Sequence, residues 1–226
     1  MSTFWGFFIE IMKAVPGTVG MAMIILAISL VMGIGIALIL MHRVPLLSPL
    51  IKIYISFFRG TPLLVQLFFC YYALPGWIHS LLAHFHIAWD QNNLSPFAVM
   101  IVSCSLYYAA YQQETVRAAF ASVDYSQKEL ADSLGYAFSQ TLARVIIPQA
   151  LVYALPNVFN TFLSIMKALS LGFTIAVIDI FAQSKLLGSL NGNYLLSFAA
   201  AALVYWIVCF TISKLLAHAE KRIRFQ

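Results

Sequence analysis

An all-helical integral membrane protein of about five spans is what the sequence predicts, and three observations carry that expectation. Of 226 residues, 62% are hydrophobic and only 9% charged, where an ordinary soluble domain carries about 25% charged residues. The apolar residues fall in runs of about 20 or more, enough to cross a hydrocarbon core of about 30 Å as helices. Those runs lack the alternation of a membrane barrel, so backbone groups in lipid must be paired within helices. One transmembrane domain, 1–226, accounts for the whole sequence.

The apolar runs place the spans at 18–41, 60–82, 96–118, 151–176 and 194–217. Residues 1–15 have no basic region ahead of an apolar stretch, and the run that follows is too long for a signal-peptide core, so it is expected to be retained as the first span. Arg43, Lys52 and Arg59 lie between the first two spans. Lys128 and Arg144 lie between the third and fourth, with Arg117 at the edge, and Lys221, Arg222 and Arg224 follow the last. These regions are expected in the cytoplasm. Segment 77–95 has no Lys or Arg and the last connection only Lys185, so both read as external. The amino terminus is then outside and the carboxyl terminus cytoplasmic.

Pro16, Pro62, Pro96 and Pro156 stand near expected span starts, where a missing N–H costs little. Pro75, followed by Gly76, is expected to end the second span. A short surface helix is expected around 174–181 at the outer face. The formal charge of +5 does not indicate nucleic acid, because the basic residues are scattered and form no stripe. Membrane lipid is the partner they fit. Cys70, Cys104 and Cys209 lie within apolar segments and read as reduced core residues.

Segment 124–148, DYSQKELADSLGYAFSQTLARVIIP, is polar yet patterned. Glu129, Leu130, Ala131 and Leu134 begin a short amphipathic helix, and Gly135 is placed to end it with positive φ. Residues 138–147 then begin a second helix leading to Pro148, with Leu134, Tyr136 and Phe138 around the bend. From periodicity alone, an interfacial hairpin on lipid headgroups and a docking element are equally open.

Here the sequence resembles the coupling loop of ABC-importer permeases, Glu-Ala-Ala, three residues, Gly, nine residues, Ile-x-Leu-Pro. The chain reads Glu129-Leu130-Ala131, Gly135, then Val145-Ile146-Ile147-Pro148, with the spacing intact and the three departures apolar for apolar. Segment 56–75, SFFRGTPLLVQLFFCYYALP, is similar to the polar amino acid permeases of that superfamily. So are Ala110-Tyr111-x-x-Glu114-x-x-Arg117 and the Lys-x-x-Ser-Leu pattern at Lys167, Ser170 and Leu171. Pro and Gly, usual between Val123 and Gln127, are replaced by Asp124, Tyr125 and Ser126. Segment 171–179, LGFTIAVID, is similar to cystine-type permeases.

The resemblance implies a type I ABC-importer permease fold in a bacterial plasma (inner) membrane, translocating polar amino acids such as L-cystine by alternating access. It implies that a coupling helix between the third and fourth spans seats on a cytoplasmic ATPase, and that a separate extracellular or periplasmic binding protein delivers cargo. No phosphate-binding GxxxxGK[ST] loop occurs, so Mg-ATP belongs to that ATPase, and no cofactor or covalent chemistry is expected in this chain. A chain this small does not enclose a path alone, so a second permease subunit, identical or related, is expected.

Within the membrane, Asn157, Asn160, Thr161 and Ser164 recur at helical spacing and read as one polar stripe, facing either a path or a neighbouring helix. Lys167 either lines the path and meets a substrate carboxylate, or snorkels toward the surface. Gln66 contacts either substrate or a neighbouring helix. Glu114 and Arg117, one turn apart, are expected to pair. Glu114 is the only intramembrane acid, which disfavours lysine or arginine as cargo. His79, His84 and His86, with Asp90, make a metal site conceivable, but surface histidines fit better. A secondary transporter or channel is the alternative. It would need coupling charges or an internal repeat, and one intramembrane Lys without a repeat is what the sequence offers.

Overall fold

A computed structural model describes residues 4–88, 90 and 94–224, every element of which is helical. The amino terminus at 1–3 and part of the external segment 77–95 lie outside the described residues, as do the side chains of Arg222 and Arg224. Helix α1 (Phe4–Met12) runs through a short turn into α2 (Val15–Met41), with Pro16 in its first turn. Then follow α3 (Leu47–Gly60), α4 (Leu63–His84), α5 (Pro96–Ala121), α6 (Tyr125–Ser133) and α7 (Phe138–Thr141). A π-helical turn (Leu142–Ile146) leads into α8 (Ile147–Ala168), a 3-10 segment (Leu169–Ile175), α9 (Ile180–Asn191) and α10 (Tyr194–Arg224).

The core is organised around α5. Its N-cap Ser95 accepts from the Ala98 N–H at 3.2 Å and Pro96 opens the helix. Helix α2 lays Met21, Ala22, Ile25, Ser29 and Gly33 along it at three- and four-residue spacing. Gly33 is required by that approach: a Cβ there would stand 2.7 Å from the Gln112 Cβ and 3.0 Å from the Gln113 N. Helices α3, α4 and α8 also pack on α5. At one end α1, α9 and α10 pack together. Asp179, fully buried, fixes that corner by accepting from the Ala182 N–H (2.8 Å) and the Tyr205 hydroxyl (2.7 Å).

Composition alone does not fix the span count, and several local expectations are corrected. By length and apolar composition three described helical stretches qualify as membrane spans, and up to four if the bent pair Leu47–Gly60 and Leu63–His84 counts as one. Helix α5 does not qualify on composition although its 26 residues reach about 39 Å. It is the innermost helix, so its outward surface is small and its sequence carries polar residues such as Gln112 and Gln113. The connection between the first two spans contains α3, which meets α4 at a bend of 115°.

Pro75 does not end the second span but lies inside α4, and Pro156 lies inside α8 and not at its start. Each removes one N–H donor that surrounding membrane helices tolerate. Pro148 is reached, as expected, by a second helix that begins at Phe138. The π-helical turn absorbs its missing donor, so the helical run continues from Phe138 to Ile175. The surface helix expected at 174–181 begins later, at Ile180, after Ala176 turns the chain with φ +62°.

Candidate functional site: a polar cavity and an exposed hairpin

Two places have the chemistry for function. The first is a cavity of about 490 Å³ between α3, α5 and α8. Helix α8 contributes Asn157, Asn160, Thr161 and Ser164, which the sequence placed on one stripe. The Thr161 and Ser164 hydroxyls donate to the carbonyls of Asn157 and Asn160, each at 2.9 Å, so their remaining lone pairs are open to a ligand. Opposite stand Tyr107, Tyr108, Tyr111 and Glu114 of α5, with Arg59 at the end of α3.

Arg59 and the tyrosines were missed because each has an adequate simpler reading in the sequence. Arg59 looks like a cytoplasmic anchor and the tyrosines like interfacial residues. The available signal was the i, i+4 placement of Tyr107 and Tyr111, whose hydroxyls lie 3.2 Å apart. Glu114 pairs with Arg117 as expected: both carboxylate oxygens accept from the guanidinium, the Nε at 3.2 Å and an Nη closer. The Arg59 guanidinium sits 5.3 Å over the Tyr111 ring.

Gln66 is not brought into this cavity. It is 2% exposed, and its amide nitrogen donates to the carbonyls of Phe58 (3.1 Å) and Thr61 (3.0 Å), across the α3–α4 bend. Lys167, one turn beyond Ser164 on the same face of α8, is exposed and lies outside the cavity lining. Among the described residues no group of three or more His, Cys, Asp or Glu side chains is arranged to hold a metal ion.

The second place is the α6–α7 hairpin. The Asp124 carboxylate accepts from the Ser126 N–H at 3.0 Å and starts α6. That backbone donor, with the Ser126 side chain, holds the Asp124 carboxyl below the usual carboxylate range. At the other end Gly135 adopts φ +78°. Its N–H donates to Asp132 O (3.0 Å) and the Tyr136 N–H to Ala131 O (3.1 Å), a Schellman cap. Gln140 then accepts from the Ala137 N–H at 3.0 Å, which opens α7. Ala131 faces inward at 3% exposure. Leu130 (58%), Leu134 (68%) and Phe138 (67%) protrude, with Tyr136 beside them and Glu129 on the same exposed surface. Pro148 lies apart from this patch, in the first turn of α8.

A bundle of long apolar helices with a polar cavity open along the face of α8, and with an apolar knob on a polar hairpin, fits a membrane transport subunit. The comparisons make that particular: residues 29–225 match the family described as binding-protein-dependent transport system inner membrane component, and the chain belongs to that family. It is a multi-pass membrane protein with the type I ABC-importer permease fold.

The chain is 38% identical over 208 residues to the probable amino-acid permease protein YxeN of Bacillus subtilis (strain 168), covering 90% of this chain and 88% of that protein. It is 36% identical over 209 residues to the L-cystine transport system permease protein TcyL of the same organism, covering 92% and 85%. The solved structure of an amino acid ABC transporter with histidines superposes with a TM-score of 0.81 at 28% identity, covering 98% of this chain and 99% of that one. The inward-facing MetNI methionine ABC transporter, at 14% identity and a TM-score of 0.74 over 99% of each chain, shares the fold. Membership of this family displaces the secondary-transporter or channel alternative.

Proposed function

We propose that this chain is the non-catalytic membrane-spanning subunit of an ATP-driven importer that brings polar amino acids, L-cystine among them, into the cytoplasm by alternating access. The observation that carries this reading is the α6–α7 hairpin, where Leu134, Tyr136 and Phe138 stand exposed around a left-handed Gly135 on an otherwise polar segment. Such a surface is costly to leave in water and is suited to a groove on a cytoplasmic ABC ATPase, which holds the Mg-ATP. Region 124–148 is the coupling loop, with Glu129, Leu130, Ala131 and Leu134 on its helix. Pro148 and the π-helical turn join it to α8, so a push on the hairpin is delivered to the helix that carries Asn157, Asn160, Thr161 and Ser164.

The five crossings are α1–α2, α4, α5, α8 and α10, with the amino terminus outside and the carboxyl terminus in the cytoplasm. Lys167 extends the polar stripe of α8 toward the outer face, where an extracellular or periplasmic binding protein delivers cargo. A second permease subunit, identical or related, closes the path, because the polar face of α8 is left exposed in the single chain. Co-purification from native membranes tests the coupling role: an ABC ATPase accompanies the wild type and is lost from the Leu134→Glu, Phe138→Glu variant at equal membrane content. Retention of the ATPase by that variant would place docking elsewhere.

A further inference from the structure

Resting on the reading of the cavity as the amino-acid path, we infer that Arg59 takes the α-carboxylate of the cargo, and that the cavity selects a zwitterion whose side chain is uncharged. Two charged side chains line the cavity, and they are not equivalent. Both oxygens of Glu114 are committed to the Arg117 fork. Arg59 makes no ion pair within 4 Å among the described residues; it faces the field of Glu114 across the cavity but rests on the Tyr111 face, with its own donors unclaimed by any carboxylate. A guanidinium whose planar set of donors is still available matches a carboxylate in two parallel hydrogen bonds.

Arg59 is also held in place. Tyr54 of α3 donates its hydroxyl to the Leu106 carbonyl of α5, tying the two helices together. The last turn of α3 is fastened on both sides of Arg59 by Gln66, which donates to Phe58 O and Thr61 O from the far side of the 115° bend. Thr61 donates in turn to Phe57 O at 2.8 Å. Gln66 is therefore a positioning residue, acting on cargo through Arg59 from behind the cavity wall.

The remaining walls suit the other end of an amino acid. Tyr107 and Tyr111 carry hydroxyl oxygens that accept from an ammonium group, and Asn157 and Asn160 offer amide oxygens. No uncommitted carboxylate lines the cavity, so a lysine or arginine side chain finds no counter-ion there. A volume of about 490 Å³ holds an amino acid as large as cystine.

The test is saturable binding of labelled L-cystine and L-glutamine to the purified permease–ATPase complex in lipid nanodiscs, without binding protein, with co-purified ATPase as the check on assembly. Arg59→Gln is expected to weaken binding about 10- to 100-fold, with Arg59→Lys between it and wild type. Gln66→Leu is expected to weaken it less and to raise KM for uptake more than it lowers kcat. On the wild-type complex, which needs no variant to fold, cystine dimethyl ester is expected to compete at least 10-fold more weakly than cystine, and L-lysine not at all. Arg117→Gln, which frees Glu114, is expected to let L-lysine compete. Equal competition by the ester, or unchanged affinity in Arg59→Gln, would overturn the assignment of Arg59. Competition by L-lysine on wild type would overturn the selection of uncharged side chains. If Asn160→Leu with Ser164→Leu, which fills the cavity, leaves binding intact, the cavity is not the path and both readings fall.

Discussion

Replacing Gly135 with alanine isolates the contribution of a single backbone conformation to docking. At φ +78° an L-residue with a Cβ is strained, yet a Cβ built at Gly135 meets nothing within 4 Å. The penalty is therefore the backbone's alone, about 1–2 kcal/mol for an ordinary residue in the left-handed region. Asparagine visits that region more readily. If the turn gives way, the cap bonds Gly135 N–H to Asp132 O and Tyr136 N–H to Ala131 O are lost, and Leu134 and Phe138 no longer project together. A destabilisation of that size is a factor of about 5–30 in the ratio of docking-competent to open hairpin. Titrating the purified ATPase against permease in detergent should give an apparent affinity lowered by up to that factor for Gly135→Ala and largely restored in Gly135→Asn. Equal affinities for glycine and alanine, or asparagine no better than alanine, would refute the claim that the left-handed turn presents the knob.

Other perturbations separate packing from coupling. Gly33→Ala forces a Cβ to within 2.7 Å of Gln112 Cβ and 3.0 Å of a backbone nitrogen, so overpacking of about 1–3 kcal/mol should lower the thermal unfolding midpoint in detergent. Tyr205→Phe removes the 2.7 Å donor to the fully buried Asp179, and a lost stability of about 1–3 kcal/mol is expected in the same assay. Because the folded pKa of Asp124 is lowered, its cap contribution is whole above the ordinary carboxylate pKa and is lost as pH falls through the folded value. ATPase affinity should therefore weaken in acid for the wild type, with a flatter profile in Asp124→Asn, which keeps a capping side chain without the titration.

The sequence made legible what depends on near neighbours in the chain. The long apolar runs, the helix start at Pro96, the pairing of Glu114 with Arg117 and the positive φ of Gly135 are all local. So is the stripe Asn157, Asn160, Thr161 and Ser164, whose spacing alone puts it on one face of α8. What sequence reasoning missed depends on where helices meet. Helix α3 carries Lys52 and Arg59 among apolar residues and reads as a charged connector until the 115° bend folds it against α5. That bend brings Arg59 to the cavity wall and turns Gln66 behind it. The prolines at 75 and 156 were misplaced because a rule for isolated helices was applied where neighbouring helices compensate. Helix α5 is legible as a helix, but its central position lowers its apolar content, so composition undercounts it as a span.

The central claim is that this chain moves amino acids only as part of an ATP-driven assembly, with the α6–α7 hairpin as the point of contact. Uptake of labelled L-cystine into proteoliposomes holding the chain, its partner ATPase and its binding protein tests it most directly. The account predicts uptake that requires ATP and all components, and that is abolished by Leu134→Glu with Phe138→Glu. Uptake by the chain alone, or uptake driven by an ion gradient without ATP, would contradict it.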